Sequence, residues 1–145
     1  MPTLAEHPIL RIRKRGSDYE ITKKFPVNSN DSSMQHEHTI ELTAEEFNEF
    51  EANLKGKRSR KIRYLYRVGQ NDAEIDLCQD NLAGLAIVDF EFQSPEEMAN
   101  FSPPDFCLID VTQDKILAGG MIVGKSYTAI EEFLKTKGYL PLYLK

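Results

Sequence analysis

Apolar and polar positions alternate with a period of two along much of this chain, and that period predicts strands. Residues 9–15 interleave Leu10 and Ile12 with Arg11, Arg13 and Arg15. Gly16-Ser17-Asp18 then predicts a turn, and Tyr19 to Phe25 a returning strand, which together make a hairpin. Pro26 to Ser33 reads as a loop by composition, and residues 36–42 as a third strand. A second group begins at residues 60–68, with Ile62, Tyr64, Tyr66 and Val68 on one face. Gln70-Asn71-Asp72 turns that strand into 73–78, Gln79-Asp80-Asn81 turns the chain again, and 84–92 completes a meander.

Helices announce themselves by their ends. Thr43-Ala44-Glu45-Glu46 has the form of a capping box and predicts a helix to about Leu54, with Phe47, Phe50 and Leu54 on one stripe. Ser94-Pro95-Glu96-Glu97 starts a short helix that Pro103-Pro104 must stop. Residues 107–112 have extended character, and Gly119-Gly120 predicts flexibility. Ser126 to Lys137 reads as a final helix closed by Gly138. Strands outnumber helices and their connections are short. The expected class is therefore α+β: an antiparallel β-barrel forming a tunnel, with helices packed outside.

The charges on these strands are sorted by sign. Arg11 and Arg13, Lys61 and Arg63, Glu74 and Asp76, Asp89 and Glu91 stand at i and i+2, with Glu37 opening a weaker set. Such pairs share one face of a strand, about 6.5–7 Å apart. The residues between them, Ile12, Ile62, Ile75 and Phe90, are apolar and belong on a core face. Any one basic strand is an ordinary solvated or edge-protecting surface. Taken jointly the sets point further. Carboxylates crowded on neighbouring strands raise one another's pKa unless a cation lies among them, while Lys and Arg suit a polyanion.

Composition narrows the classes. A chain of 145 residues, 41% hydrophobic and 28% charged, is expected to form one domain with a real core. The formal net charge of −5 argues against a general nucleic-acid binder but not against a local polyphosphate site. No apolar run is long enough to span a membrane and no signal-peptide pattern opens the chain, so a cytoplasmic protein is expected. Cys78 and Cys107 have no framework or metal spacing and read as reduced thiols. His36 and His38 share a face, but no third ligand lies near them in sequence. Gly119-Gly120 with Gly124-Lys125-Ser126 lacks the spacing of a phosphate-binding loop.

Several of these segments, in this order, resemble the CYTH domain, the triphosphate tunnel metalloenzymes. They are Leu10-Arg11-Ile12-Arg13, Tyr19 to Lys24, Lys61-x-Arg63-Tyr64, Glu74-Ile75-Asp76-Leu77 and Leu82 to Phe92, followed by Ser94 to Glu97, Pro103 to Phe106 and Asp110 to Asp114. The resemblance implies a β-barrel tunnel that binds a small-molecule triphosphate with Mg2+ or Mn2+ and hydrolyses a phosphoanhydride. By matching position, Arg11, Arg13, Lys24, Lys61 and Arg63 would hold phosphates. Lys115 or Lys125 is a candidate substitute for an Arg that the family carries where Ile116 stands. Glu37, Glu74, Asp76, Asp89 and Glu91 would supply carboxylates for metal and water activation. Glu91, Asp89 and Lys61 are the expected catalytic groups.

The family's opening Glu-x-Glu-x-Lys strand has no counterpart here. The expected consequence is an incomplete barrel with an exposed strand edge, for which a homodimer is one remedy. Two rivals follow from the same residues. One is a non-catalytic polyphosphate- or nucleotide-binding module that has lost part of the metal site. The other is a class IV adenylate cyclase, for which no nucleobase pocket is legible.

Overall fold

The computed structural model describes residues 10–28, 31–53 and 56–144. Its contacts divide the chain into two compact units, residues 1–57 with 111–123, and residues 58–110 with 124–145.

The first unit carries a three-stranded antiparallel sheet in the order β1-β2-β3, from β1 (Leu10–Arg15), β2 (Asp18–Asn28) and β3 (Asp31–Leu42). Gly16, with φ of 59°, makes the tight turn that brings Asp18 opposite Arg15. The expected loop at 26–33 is overturned. β2 runs through Asn28 and β3 starts at Asp31, so the Asn/Ser/Asp composition marks only a hairpin tip. The register shifts between Pro26 and Asn28, an irregularity of the kind that admits a residue without an N–H.

Helix α1 (Ala44–Asn53) opens on the predicted capping box: Thr43 Oγ1 accepts from Glu46 N at 3.1 Å, and Glu46 Oε2 accepts from Thr43 N at 2.8 Å. Its buried Phe47 lies 5.1 Å from the ring of Tyr19. Leu54, the expected last residue of its stripe, lies outside the described residues. Lys115–Leu117 forms one 3-10 turn and Gly119–Ile122 a short helix, α3, where the glycine pair predicted flexibility. Backbone bonds from Met121 N and Ile122 N to Ala118 O close that turn.

The second unit holds the sheet β4-β5-β6, from β4 (Lys61–Val68), β5 (Asn71–Cys78) and β6 (Ala86–Phe90). The turn falls at Gly69, φ 62°, and Gln70, beginning one position earlier than Gln70-Asn71-Asp72 suggests, with Asn71 and Asp72 already in β5. A 3-10 turn at Asp80–Leu82 connects β5 to β6, and Asp80 takes a left-handed φ of 56°. Helix α2 (Pro95–Ala99) has the expected Ser94 cap, whose hydroxyl accepts from Glu97 N at 3.1 Å. Residues 107–112 lie in no strand. Helix α4 (Tyr127–Thr136) ends where Gly138, φ 74°, takes the left-handed turn.

The core of this unit contains Ala73, Leu77, Leu82, Leu85, Ile130 and Leu134. Phe101 sits 4.6 Å from Phe90 and 5.0 Å from Phe92, ring to ring. The Tyr139 hydroxyl donates to Gly84 O and accepts from Ala86 N at 2.8 Å, tying the chain's end to the start of β6. The α+β class therefore holds. The barrel does not appear in closed form: among the described residues the strands form two separate three-stranded ladders.

Candidate functional site

Register decides which charges share a face, because directly opposed residues of antiparallel strands point the same way. In the second unit Arg63 stands opposite Asp76, Lys61 opposite Cys78, and Glu74 opposite Asp89. Lys61, Arg63, Arg67, Asp72, Glu74, Asp76 and Asp89 thus occupy one face. Ile62, Tyr64, Tyr66, Ala73, Ile75, Leu77, Val88 and Phe90 take the other. The division of polar from apolar faces follows the sequence pattern except that Leu65, Cys78 and Ile87 fall on the charged face. The apolar face is only partly covered, with Ile62, Tyr64 and Tyr66 exposed on β4 while Ala73 and Leu77 are buried.

Sorting by strand makes each acid of β5 the partner of a base on β4. Arg63 donates from Nε to Asp76 Oδ1 at 2.7 Å and from Nη2 to Asp76 Oδ2 at 2.8 Å, a two-toothed grip. Lys61 Nζ meets the same Oδ2, and Arg63 Nη1 also reaches Glu74 Oε2 at 2.7 Å. The Asp76 side chain is only 5% exposed, yet it is fully satisfied. Burial alone would raise its pKa; the hydrogen bonds and charges of Arg63 and Lys61 outweigh that and hold it below the usual carboxylate value. The same Asp76 bonds push the Arg63 guanidinium's pKa further up. Burial also raises the Cys78 thiol.

Glu74 and Asp89 oppose each other with like charge, and Glu91 follows just beyond β6, its N–H bound to Asp72 O at 3.0 Å. Glu74 and Glu91 line one open hollow of about 440 Å3 with Arg67, Asp72, Leu65 and Tyr66. Arg67 and Asp72, 3.5 Å apart, were absent from the sequence-derived set. Continuing the same i, i+2 spacing by one step from Glu74 and by two from Arg63, past Leu65, would have found them.

In the first unit Arg11, Arg13, Lys24 and Glu37 also share one face by register. Glu37 Oε1 lies 3.4 Å from Arg11 Nη2 and 3.7 Å from Lys24 Nζ, while Arg13 Nε lies 3.0 Å from Glu20 Oε1. Glu20 was missed because Asp18, the acid two residues before it in β2, was read as part of the turn, and its role appears only with the register. Between these pairs the Thr22 and Thr39 hydroxyls bond at 2.9 Å, with Thr22 1% exposed. His36 and His38 oppose Phe25 and Lys23, on the face away from Arg11 and Glu37. Lys115 is exposed in its 3-10 turn.

The donor set was expected to hold Mg2+ or Mn2+, and its chemistry fits in part. Glu74, Asp89 and Glu91 offer hard oxygen ligands, and a cation would relieve the like-charge opposition of the first two. Among the described residues no three His, Cys, Asp or Glu side chains gather around one point. Magnesium is commonly held by one or two carboxylates with water and phosphate oxygens completing the shell.

Known proteins resemble the chain in sequence and in fold. Over 107 residues the chain is 29% identical to an inorganic triphosphatase of Nitrosomonas europaea, a match covering 73% of this chain and 68% of that protein. Two solved crystal structures share its fold with a TM-score of 0.58. The hypothetical protein NE1496 matches at 25% identity over 81% of this chain and 76% of its own. The inorganic triphosphatase NE1496 matches at 24% over 80% and 75%. No family model matches the chain. By fold the chain is similar to these structures. The sequence and structural likenesses together support the resemblance to the CYTH, or triphosphate tunnel metalloenzyme, family.

Proposed function

We propose that this protein hydrolyses a terminal phosphoanhydride of a small-molecule triphosphate, inorganic tripolyphosphate first among them, with Mg2+ or Mn2+. The observation that carries the reading is a pair of sheets, each with one face of alternating bases and carboxylates, in a chain similar to an inorganic triphosphatase. Phosphoryl transfer asks little covalent chemistry of a protein; it asks for charge neutralisation and an aligned nucleophile.

On this reading Arg11, Arg13, Lys24, Lys61, Arg63 and Lys115 bind phosphate oxygens. Glu74, Asp89 and Glu91 hold the cation on one unit, and Glu37 offers a further carboxylate on the other. A bound divalent ion would neutralise the phosphates and lower the pKa of a coordinated water. The chain's own residues do the rest: Lys61 and Arg63 orient the phosphates, and Glu91 or Asp89 takes the proton of the attacking water. A cytoplasmic setting belongs to the same proposal. No described helix is long and apolar enough to cross a membrane.

One observation favours a second reading. Lys61 and Arg63 are already engaged by Asp76 and Glu74, as they would be in a binding module without turnover. Phosphate release from tripolyphosphate, with and without Mg2+, separates the two, because the module binds without releasing phosphate. Glu91→Gln should abolish metal-dependent release while the fold persists. Unchanged turnover in that variant would remove Glu91 from the mechanism.

A further inference from the structure

Asp76 carries the most pronounced contradiction on the charged face. Glu74, Asp89 and Glu91 have open or half-open surroundings, as ligands to an exchangeable ion require. The Asp76 side chain is 5% exposed, and both its oxygens are spent on cations. Oδ1 accepts from Arg63 Nε, while Oδ2 accepts from Arg63 Nη2 and meets Lys61 Nζ. To bind a metal ion it would have to abandon a two-toothed guanidinium in a buried place, leaving that cation under-compensated.

The consequences for Lys61 and Arg63 run the other way. Lys61 and Arg63 stand two apart on β4 and share one acceptor, so their cationic heads are fixed side by side. Lys61 uses one of its three N–H donors there and keeps a side chain 42% exposed. Arg63 uses Nε and Nη2 on Asp76 and Nη1 on Glu74, and an arginine in that state keeps two further N–H donors. A carboxylate in this place subtracts attraction for an anion but fixes the direction of the donors that remain. Its contribution is geometric.

We propose that Asp76 is a positioning residue: the buried anchor that aligns Lys61 and Arg63 for phosphate, and not a ligand of the metal. The inference rests on the triphosphatase reading for its kinetic arm only.

The test begins with the Arg63 side chain in the intact protein, followed through its Nε–H signal by 15N NMR. The expected result is a sharp, slowly exchanging signal that persists at saturating Mg2+ and is lost to fast exchange in Asp76→Asn. Loss of the signal on adding Mg2+ to the natural protein would mean that Asp76 leaves Arg63 for metal, and would overturn the proposal. So would an unchanged signal in the variant. This arm needs neither substrate nor turnover, and its first half stands even should the variant fail to fold.

The kinetic arm uses tripolyphosphate. In Asp76→Asn, kcat should fall about tenfold because the donors lose their alignment. KM should stay level or fall because a negative charge has gone, and extra Mg2+ should not restore turnover. Recovery of kcat at higher Mg2+, retention of kcat, or a KM that rises with the loss would each overturn the assignment. A natural protein that neither binds nor cleaves tripolyphosphate would end the functional reading, while the NMR arm would still decide the role of Asp76 on β4.

Discussion

Asp76 concentrates the energetics of the charged face in one side chain. Two charges taken out of water are costly, and breaking such a pair by removing one partner costs about 3–5 kcal/mol. Asp76→Asn should therefore lower the unfolding free energy by an amount near the bottom of that range, about 3 kcal/mol, since Lys61 remains half in water. The pH dependence has a fixed sign. The Asp76 pKa is lower in the folded than in the unfolded chain, so its stabilisation is present above the unfolded carboxylate value of about 3.9 and is lost as pH falls through the folded value. Urea titrations from pH 7 down to pH 2 should show that loss in the natural protein and a shallower one in Asp76→Asn. Parallel curves would show that the ion pair contributes nothing to acid stability.

A second residue-scale outcome concerns the thiols. Burial holds the Cys78 thiol above its ordinary pKa, and the side chain is shielded, so iodoacetamide at pH 8 should label Cys107 first. Cys78 should react only as the protein unfolds. Equal labelling rates in the folded state would contradict its burial.

At the scale of the element, ends and turns were legible and registers were not. The capping box at Thr43 and Glu46, the Ser94 cap and the stop at Gly138 were each plain from a few adjacent residues, because the chemistry that forms them is local. The strand at Pro26 to Asn28 was missed because turn-forming composition was weighed over the ladder that continues through it. The pairing of Arg63 with Asp76 could not be read from either strand alone. It depends on the two-residue turn at Gly69-Gln70, and a one-residue slip would have sent the same side chains to opposite faces.

The glycines test this level directly. Gly138→Ala meets no neighbour but must hold a left-handed φ, which costs about 1 kcal/mol. Gly84→Ala has φ of 106° and places its Cβ 3.2 Å from Pro141 Cβ and the Tyr143 hydroxyl, so it should lower the thermal midpoint further than Gly138→Ala. The reverse order would mean that the segment at Pro141 gives way without loss.

For the whole molecule, the sequence made the charged faces legible because the i, i+2 spacing is a property of any strand. Arg11, Arg13, Lys24 and Glu37 share one face of one sheet, and Lys61, Arg63, Glu74, Asp76 and Asp89 one face of the other. The closed barrel was an inference about how the sheets join, a matter of long-range contacts that no local period encodes. The roles of the acids were blurred for a related reason. Spacing treats Glu74 and Asp76 alike, whereas burial separates a half-open carboxylate from one enclosed by two cations.

The central claim is that these faces serve metal-dependent cleavage of a triphosphate. Phosphate release from tripolyphosphate by the purified chain, measured with Mg2+ and again with the ion chelated, tests it most directly. The account predicts release that requires the ion and disappears in Glu91→Gln. Tight binding with no release at any Mg2+ or Mn2+ concentration would contradict it.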